Sequence, residues 1–384
     1  MVDRNEARIL ALVAYSQGVS RTELQAQLDL PATTVNSAVG RLLQRGEIAE
    51  AADDAKRSRT GRRPARLHLA AGDRRIGFVS WSWLDSRVRA VLADLGGREL
   101  NAWQYGAGAG DPLAEPLTRL ASEGSGAMIA IVVSVAQPYQ QGVGSPHQAQ
   151  GWPSLASAPN PEWLLPSAAD PARAWSERLD VPVLFENDAN LEAVGESVLG
   201  VASDQTNVVY VKLGDRSIGA GLILDGRLYR GANGFAGELA HVHFSDNGKL
   251  CICGGRGCLS TSLGASLLES IHETFGAQVT FRDLLARADA GDPGPARILG
   301  DVGRMIGGVM ANLITFLNPS MLVVDGTLGS AARFVVVGLR ESIEHLTSPI
   351  AASALQIRPG SLGKRADLLG AIAVAREHAL TSAH

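Results

Sequence analysis

All three cysteines of this 384-residue chain, Cys251, Cys253 and Cys258, fall in one short stretch. An odd number of thiols, so tightly spaced, argues against a disulfide scaffold and toward a metal or redox site. With His241 just upstream, one imidazole and three thiolates make a closed tetrahedral zinc site of the structural type. The glycines of Cys253-Gly254-Gly255-Arg256-Gly257-Cys258 let the loop turn sharply enough for the sulfurs to converge. Buried free cysteines would sit on an apolar face, whereas these lie on a polar, glycine-rich loop. The predicted ligands are therefore His241, Cys251, Cys253 and Cys258, and the predicted cofactor is structural Zn2+.

A chain of this length exceeds one ordinary hydrophobic core and implies two or three domains. Hydrophobic residues at 46% and charged residues at 19% exclude a largely disordered protein. No apolar run approaches the roughly 18 residues that span a bilayer, and the N-terminus lacks a signal-peptide pattern, so a cytoplasmic protein with no membrane contact is expected. The net charge of −4 hides an asymmetry: residues 1–75 hold 13 Lys+Arg against 9 Asp+Glu, the remainder 22 against 30. A basic head on an acidic body suggests that only the head meets nucleic acid.

The head reads as a winged helix-turn-helix. Ile9, Leu10, Leu12 and Val13 have helical spacing over residues 5–16. Ser20-Arg21-Thr22-Glu23 is a capping box opening a short helix with Leu24 and Leu28 inward. After the turn Asp29-Leu30-Pro31, a third helix buries Val35, Val39, Leu42 and Leu43, and Gly46 is placed to end it in a left-handed conformation. Its outer face carries Thr33, Thr34, Asn36, Ser37 and Arg41, small polar groups suited to the major groove. Residues 48–50 and 66–69 read as strands of a wing. The loop between them, Lys56 to Pro64, has five basic residues and no acid; Arg59, Arg62 and Arg63 are its candidate phosphate or minor-groove contacts. The expected partner is a double-stranded DNA operator.

From residue 75 onward helix and strand alternate. Strands are predicted at 76–80, 88–93, 127–135, 181–185, 207–213 and 321–324, with a helix over 302–317 and a last one over 366–379. Such alternation implies an α/β body of two lobes with a ligand at the cleft between them. Two motifs there carry chemistry. Glu186-Asn187-Asp188 follows an apolar strand; its polar groups suit sugar hydroxyls or a general base, or equally the cap of the next helix. Gly237-Glu238-Leu239-Ala240-His241 places a carboxylate just before the zinc histidine, whose second ring nitrogen would face a ligand.

Together these motifs resemble the ROK family (repressors, open reading frames and sugar kinases). The resemblance rests on Glu186-Asn187-Asp188, the Gly237-Glu238 pair before His241, the cysteine cluster, and a Thr60-Gly61-Arg62-Arg63-Pro64 wing ahead of the body. It covers essentially the whole chain and points to the regulator branch, such as the xylose and N-acetylglucosamine repressors. The resemblance implies an actin-like (RNase H-like) two-lobed ATPase-type domain. It also implies a sugar or sugar-derivative effector on Asn187, Asp188, Glu238 and His241, with Asp188 at the position of the kinase base.

Departures from the family pattern argue against catalysis. Where the kinases carry the phosphate loop Asp-x-Gly-Gly-Thr, this chain reads Ser80-Trp81-Ser82-Trp83-Leu84-Asp85. The second loop, Gly-Thr-Gly-Ile-Gly in the family, is Gly214-Asp215-Arg216-Ser217-Ile218-Gly219 here, and a later Gly-Gly is Asp325-Gly326. Ser260 replaces a sugar-contacting glutamate. No catalytic residue is expected, because phosphoryl transfer depends on preorganised phosphate contacts. The expected domains are 1–72 (winged helix-turn-helix), 73–186 (first lobe, with helix 366–379 packing back) and 187–365 (second lobe with the zinc site). The expected protein is a repressor of carbohydrate-related genes, assembled as a homodimer or homotetramer. The alternatives are an ATP-dependent sugar kinase with an added head, and a regulator that no longer binds sugar.

Overall fold

Two five-stranded sheets built to one plan organise the computed structural model, which describes residues 4–16, 18–51, 65–70, 74–82, 87–106, 111–123, 126–140, 170–214, 218–251, 253–263 and 265–382. The chain divides into two compact units. One comprises residues 1–136, 172–186 and 368–384, the other residues 137–171 and 187–367. Where sequence suggested three bodies, the head therefore shares a unit with the first sheet and the end of the last helix. Residues 137–171, expected in the first lobe, group with the second unit.

The head is built from α1 (Arg4–Tyr15), α2 (Arg21–Leu28), α3 (Ala32–Gln44), β1 (Ile48–Ala51) and β2 (Arg66–Leu69). The capping box forms as the sequence predicts: Ser20 Oγ accepts the Glu23 N–H at 3.2 Å, and the Glu23 carboxylate accepts the Ser20 N–H at 2.7 Å. Val35, Ala38, Val39 and Leu42 form the buried face of α3, while Leu28 and Leu43 are only half-buried. Gly46 follows α3 at φ +63°. Strands β1 and β2 pair antiparallel, Ile48 opposite Leu69. The basic loop with Arg59, Arg62 and Arg63 lies outside the described residues.

A ladder of buried charge runs under these helices. Glu6, 3% exposed, accepts from both Arg41 and Arg45. Arg45 also donates to Glu47 at 2.6 Å, and Glu47 accepts from Arg376 of the last helix at 2.6 and 3.1 Å. Burial pushes the Glu47 carboxyl up, but Arg376 and Arg45 outweigh it and hold it below the usual carboxylate range. A buried arginine needs such a partner, since an unpaired charge there costs several kcal/mol, about 3–5.

In the first unit β3 (Arg75–Ser82), β4 (Arg87–Asp94) and β5 (Glu99–Gly106) form an antiparallel meander flanked by α4 (Ala114–Ser122). Strand β6 (Met128–Val135) adds parallel to β3, and after α5 (Pro171–Leu179) β7 (Val183–Asn187) completes the order β5-β4-β3-β6-β7. The Trp81 indole is buried in β3. The second unit repeats the plan. After α6 (Asp188–Val198) come β8 (Val208–Leu213), β9 (Ile218–Leu224) and β10 (Arg227–Leu228), then α7 (Leu259–Leu263), α8 (Ala265–Phe275), α9 (Phe281–Asp289) and α10 (Pro293–Leu317). The chain finishes with β11 (Met321–Val324), α11 (Ala332–Leu346), α12 (Pro349–Ala354), β12 (Gln356–Pro359) and α13 (Ala366–Ser382). Strand β11 adds parallel to β8 and β12 to β11, giving β10-β9-β8-β11-β12. Among the described residues no helix is long and apolar enough to cross a membrane.

The second sheet is covered on both faces. Val209, Val211 and Leu322 pack with α10 and α11, while Val208, Tyr210 and Val323 pack with Ala193 of α6. Helices α10 and α11 approach through glycines: a Cβ on Gly338 would stand 2.0 Å from the Gly300 carbonyl oxygen, and one on Gly303 would stand 2.2 Å from that of Val335. The contact is backbone on backbone, so no side chain can yield. We expect Gly338→Ala to destabilise the protein by about 1–3 kcal/mol through overpacking, in excess of its gain in helix propensity. Gly40→Ala on α3 meets nothing within 4 Å and should instead stabilise. Urea unfolding midpoints of the two variants should move in opposite directions.

Candidate metal centre and ligand site

The β7–α6 junction carries the first group. Asn187 is the N-cap of α6, its Oδ1 accepting the Asn190 N–H at 3.1 Å, while its Nδ2 donates to the Gln137 carbonyl at 3.3 Å. The two uses that the sequence allowed for this motif therefore divide between neighbours: Asn187 caps, and Asp188 is left to pair. Asp188 Oδ1 accepts the Ala189 N–H at 2.8 Å, and Oδ2 lies 3.3 Å from Lys212 Nζ. Lys212, on β8, also bonds the carboxylate of Glu192, one turn further along α6.

Sequence reasoning missed Lys212 and Glu192, although the spacing of Asp188 and Glu192 puts both carboxylates on one helix face. Burial lowers the proton affinity of the Lys212 amine, but Asp188, Glu192 and Asp325 outweigh it and hold the ammonium charged. Burial pushes Glu192 up to about 8, with Asp325, Asp188 and Asp367 adding to the shift and Lys212 opposing it. Asp325, 2% exposed, accepts the Leu213 N–H at 3.0 Å and the Thr327 N–H at 2.7 Å, so this carboxylate ties the ends of β8 and β11.

The loop after β10 carries the second group. The Gly237 carbonyl accepts the Ala220 N–H at 2.9 Å, which seats the loop against β9 and sets Glu238. Burial pushes Glu238 up to about 8, the Asp188 charge adding to it, and its carboxyl has no hydrogen-bond or ion-pair partner among the described residues. Glu238 and His241 line one side of a cavity of about 290 Å³ whose other walls include Leu222, Phe235, Val242 and Met310.

The metal ligands proposed from sequence converge. One donor atom from each of His241, Cys251, Cys253 and Cys258 lies within 4.8 Å of the others. His241 Nδ1 stands 3.5 Å from Cys251 Sγ, and Cys253 Sγ stands 3.5 Å from Cys258 Sγ. A tetrahedral ion with bonds of about 2.0–2.3 Å requires ligand separations of about 3.5–3.8 Å, so the set fits a metal. Burial disfavours the charged form of His241, which suits a metal ligand. Burial and the two neighbouring sulfurs push Cys258 up to about 12, a crowding that a cation would relieve. Gly257 makes the turn possible: it sits at φ +70°, where a Cβ would come 1.7 Å from the Ser245 carbonyl oxygen. Ser260 Oγ lies 3.6 Å from Cys251 Sγ, directed at the sulfur cluster. Nδ1 of His241 faces the sulfurs and is the ring nitrogen placed to hold a metal.

On α3, Thr33, Asn36 and Ser37 are exposed and Thr34 is half-buried. Arg41 is exposed too, but its guanidinium is bonded to Glu6 and, at 2.7 Å, to Ser37 Oγ. Of the altered phosphate loops, Trp83, Leu84, Asp85, Asp215, Arg216 and Ser217 lie outside the described residues.

The family model described as the ROK family matches residues 109–378. The chain belongs to the ROK family. Its winged helix lies ahead of the matched span. A xylose repressor of Bacillus spizizenii is 31% identical over 204 residues, covering 53% of this chain and 53% of the repressor. The match thus spans about half the length of that relative. A putative xylose repressor of Caldicellulosiruptor is 25% identical over 393 residues, 96% of this chain and 94% of the relative. Glucokinases match as well; that of Streptomyces coelicolor is 28% identical over 239 residues, 57% of this chain and 74% of the enzyme. The crystal structure of a ROK family transcriptional regulator, a homologue of the E. coli MLC protein, superposes with a TM-score of 0.69 at 21% identity, covering 98% of this chain and 97% of that one. The fold is thus the ROK architecture, a winged helix-turn-helix followed by an actin-like body.

Two measurements test this site. Chelation should lower the melting temperature, and elemental analysis should find about one metal per chain, lost together with stability in Cys253→Ser. Glu238 binds a proton in the folded state above the pH at which it loses it unfolded, so it destabilises increasingly as pH rises from 4.5 to about 8. Glu238→Gln should remove that fall; a stability profile unchanged across this window would contradict the burial of the carboxyl.

Proposed function

We propose that this chain is a DNA-binding repressor of carbohydrate-related genes whose kinase-like body senses a sugar and no longer phosphorylates it. The observation that carries the reading is the winged helix placed ahead of a ROK body, with a relative named a putative xylose repressor matched along nearly the whole chain. Thr33, Thr34, Asn36 and Ser37 on α3 read base edges, and Arg59, Arg62 and Arg63 contact phosphates. Arg41, bonded to Glu6 and Ser37, orients the reading helix beside the DNA backbone.

Asn187, Asp188, Glu238 and Nε2 of His241 hold the effector. His241, Cys251, Cys253 and Cys258 hold zinc, which serves as a structural clamp on the loop carrying Glu238. Loss of catalysis is supported by two features. The Asp188 carboxylate is engaged by Lys212, an ammonium that competes with any hydroxyl proton for it. The carboxylate of Asp325 is buried at the ends of β8 and β11, where a polyanion would be repelled. The glucokinase relatives keep the enzyme reading as a rival, beside that of a regulator that no longer binds sugar.

Footprinting of the promoter regions beside the gene, with and without D-xylose, D-glucose and N-acetylglucosamine, tests the proposal. We expect a protected site at moderate salt that one sugar weakens. Arg62→Ala should lower affinity for all sequences and reduce the salt slope by about 1. Asp188→Asn should keep DNA affinity and lose the sugar response. ATP-dependent turnover of any of these sugars, abolished by Asp188→Asn, would overturn the proposal in favour of the kinase.

A further inference from the structure

Gln137 follows β6 and is 9% exposed. Its main-chain carbonyl accepts from Nδ2 of Asn187, so the residue is tied to the cap of α6, next to Asp188 and Lys212. Its side-chain nitrogen, Nε2, is buried and has no hydrogen-bond partner among the described residues. An amide donor left so is unfavourable, and few buried side-chain donors in a folded protein lack an acceptor. The loop around it is otherwise well bonded: Tyr139, two residues on, is fully buried and donates from its hydroxyl to Asp170 at 3.0 Å. A Cβ on Gly234 would stand 2.3 Å from the Tyr139 carbonyl oxygen, so the effector loop lies directly against this segment. An unspent donor thus lies in a rigid setting, bonded to one proposed effector residue and near the loop that carries two others.

We propose that Gln137 reads the effector, its Nε2 donating to a hydroxyl oxygen of a bound neutral sugar. This rests on the sugar-binding reading above and adds a residue to it. Asn187 spends its own carbonyl on the helix cap, and Asp188 is shared with Lys212, so each supplies less to a ligand than its type allows. Gln137 supplies the missing donor. Its amide fixes which hydroxyl can bind, because an epimer with that oxygen turned away leaves the buried N–H unmet.

The test compares the full chain with Gln137→Leu and Gln137→Asn, by thermal melting without ligand and by titration calorimetry with D-xylose, D-glucose and N-acetylglucosamine. A residue that waits for a ligand should not support the empty fold. We therefore expect Gln137→Leu to melt at the parent temperature or above, and to bind the preferred sugar about tenfold more weakly, the equivalent of about 1.4 kcal/mol. Gln137→Asn, with a shorter reach, should keep the stability and show a smaller preference between sugars. A clear drop in melting temperature for Gln137→Leu overturns the inference, since the amide would then serve the fold, through protein or water. Equal sugar affinity in parent and Gln137→Leu overturns it also, while leaving the sugar-binding reading intact. If the parent binds none of the three sugars, the sugar-binding reading itself fails and takes the inference with it.

Discussion

The convergence of four donor atoms, from His241, Cys251, Cys253 and Cys258, on a set that fits a metal is the constraint around which this loop is built. His241 ends a short turn after a glycine-rich loop, and the cysteines lie on a segment bridged at Leu250–Arg256 and His243–Cys258. Backbone hydrogen bonds along it, among them Cys251 N–H to the Gly255 carbonyl and Gly257 N–H to the Lys249 carbonyl, fold it back on itself and bring one imidazole and three sulfurs within 4.8 Å. The bond from the Ala220 N–H to the Gly237 carbonyl seats the same loop against β9 and sets where Glu238 stands.

A second constraint acts at the N-terminus of α6. In a helix of this kind the first free N–H groups need acceptors, and Asn187 supplies one. The same side chain donates to Gln137 and so joins the β6 end to the β7 end. One turn of α6 then gathers Asp188 and Glu192 against Lys212, with Asp325 close enough to shift both partners. The Lys212 ammonium pairs with Asp188 and Glu192, yet burial and the neighbouring carboxylates still push Glu192 up to about 8.

The ion ladder of the head has a different character. Glu6, Glu47 and Arg376 are buried, Arg45 is half-buried and Arg41 is exposed, and together these paired charges fix α3 on α1 and on the last helix. Arg41 shows the consequence for recognition. Its place on the outer face of α3 suggested a free cation for DNA, yet Glu6 and Ser37 already hold it.

How much was legible in sequence follows from the range of each interaction. The capping box, the left-handed Gly46 and the strands at 66–69 and 321–324 are local: each depends on residue types at short spacing, and the sequence alone determined them. The strand β5 and the helix α11 were not legible. Strand β5 is an exposed edge with little apolar alternation, and Phe334-Val335-Val336-Val337 is a β-branched run that becomes helix only because Gly303 and Gly338 let α10 come close. Lys212, Gln137 and the Glu47–Arg376 pair escaped for the same reason. A lysine in a strand, a glutamine after one and an arginine in a terminal helix look like solvated side chains until tertiary contact removes the water around them. Sequence determined which groups could bind metal, cap helices and meet DNA; only the folded structure decided which charges were spent on one another and which donor was left over.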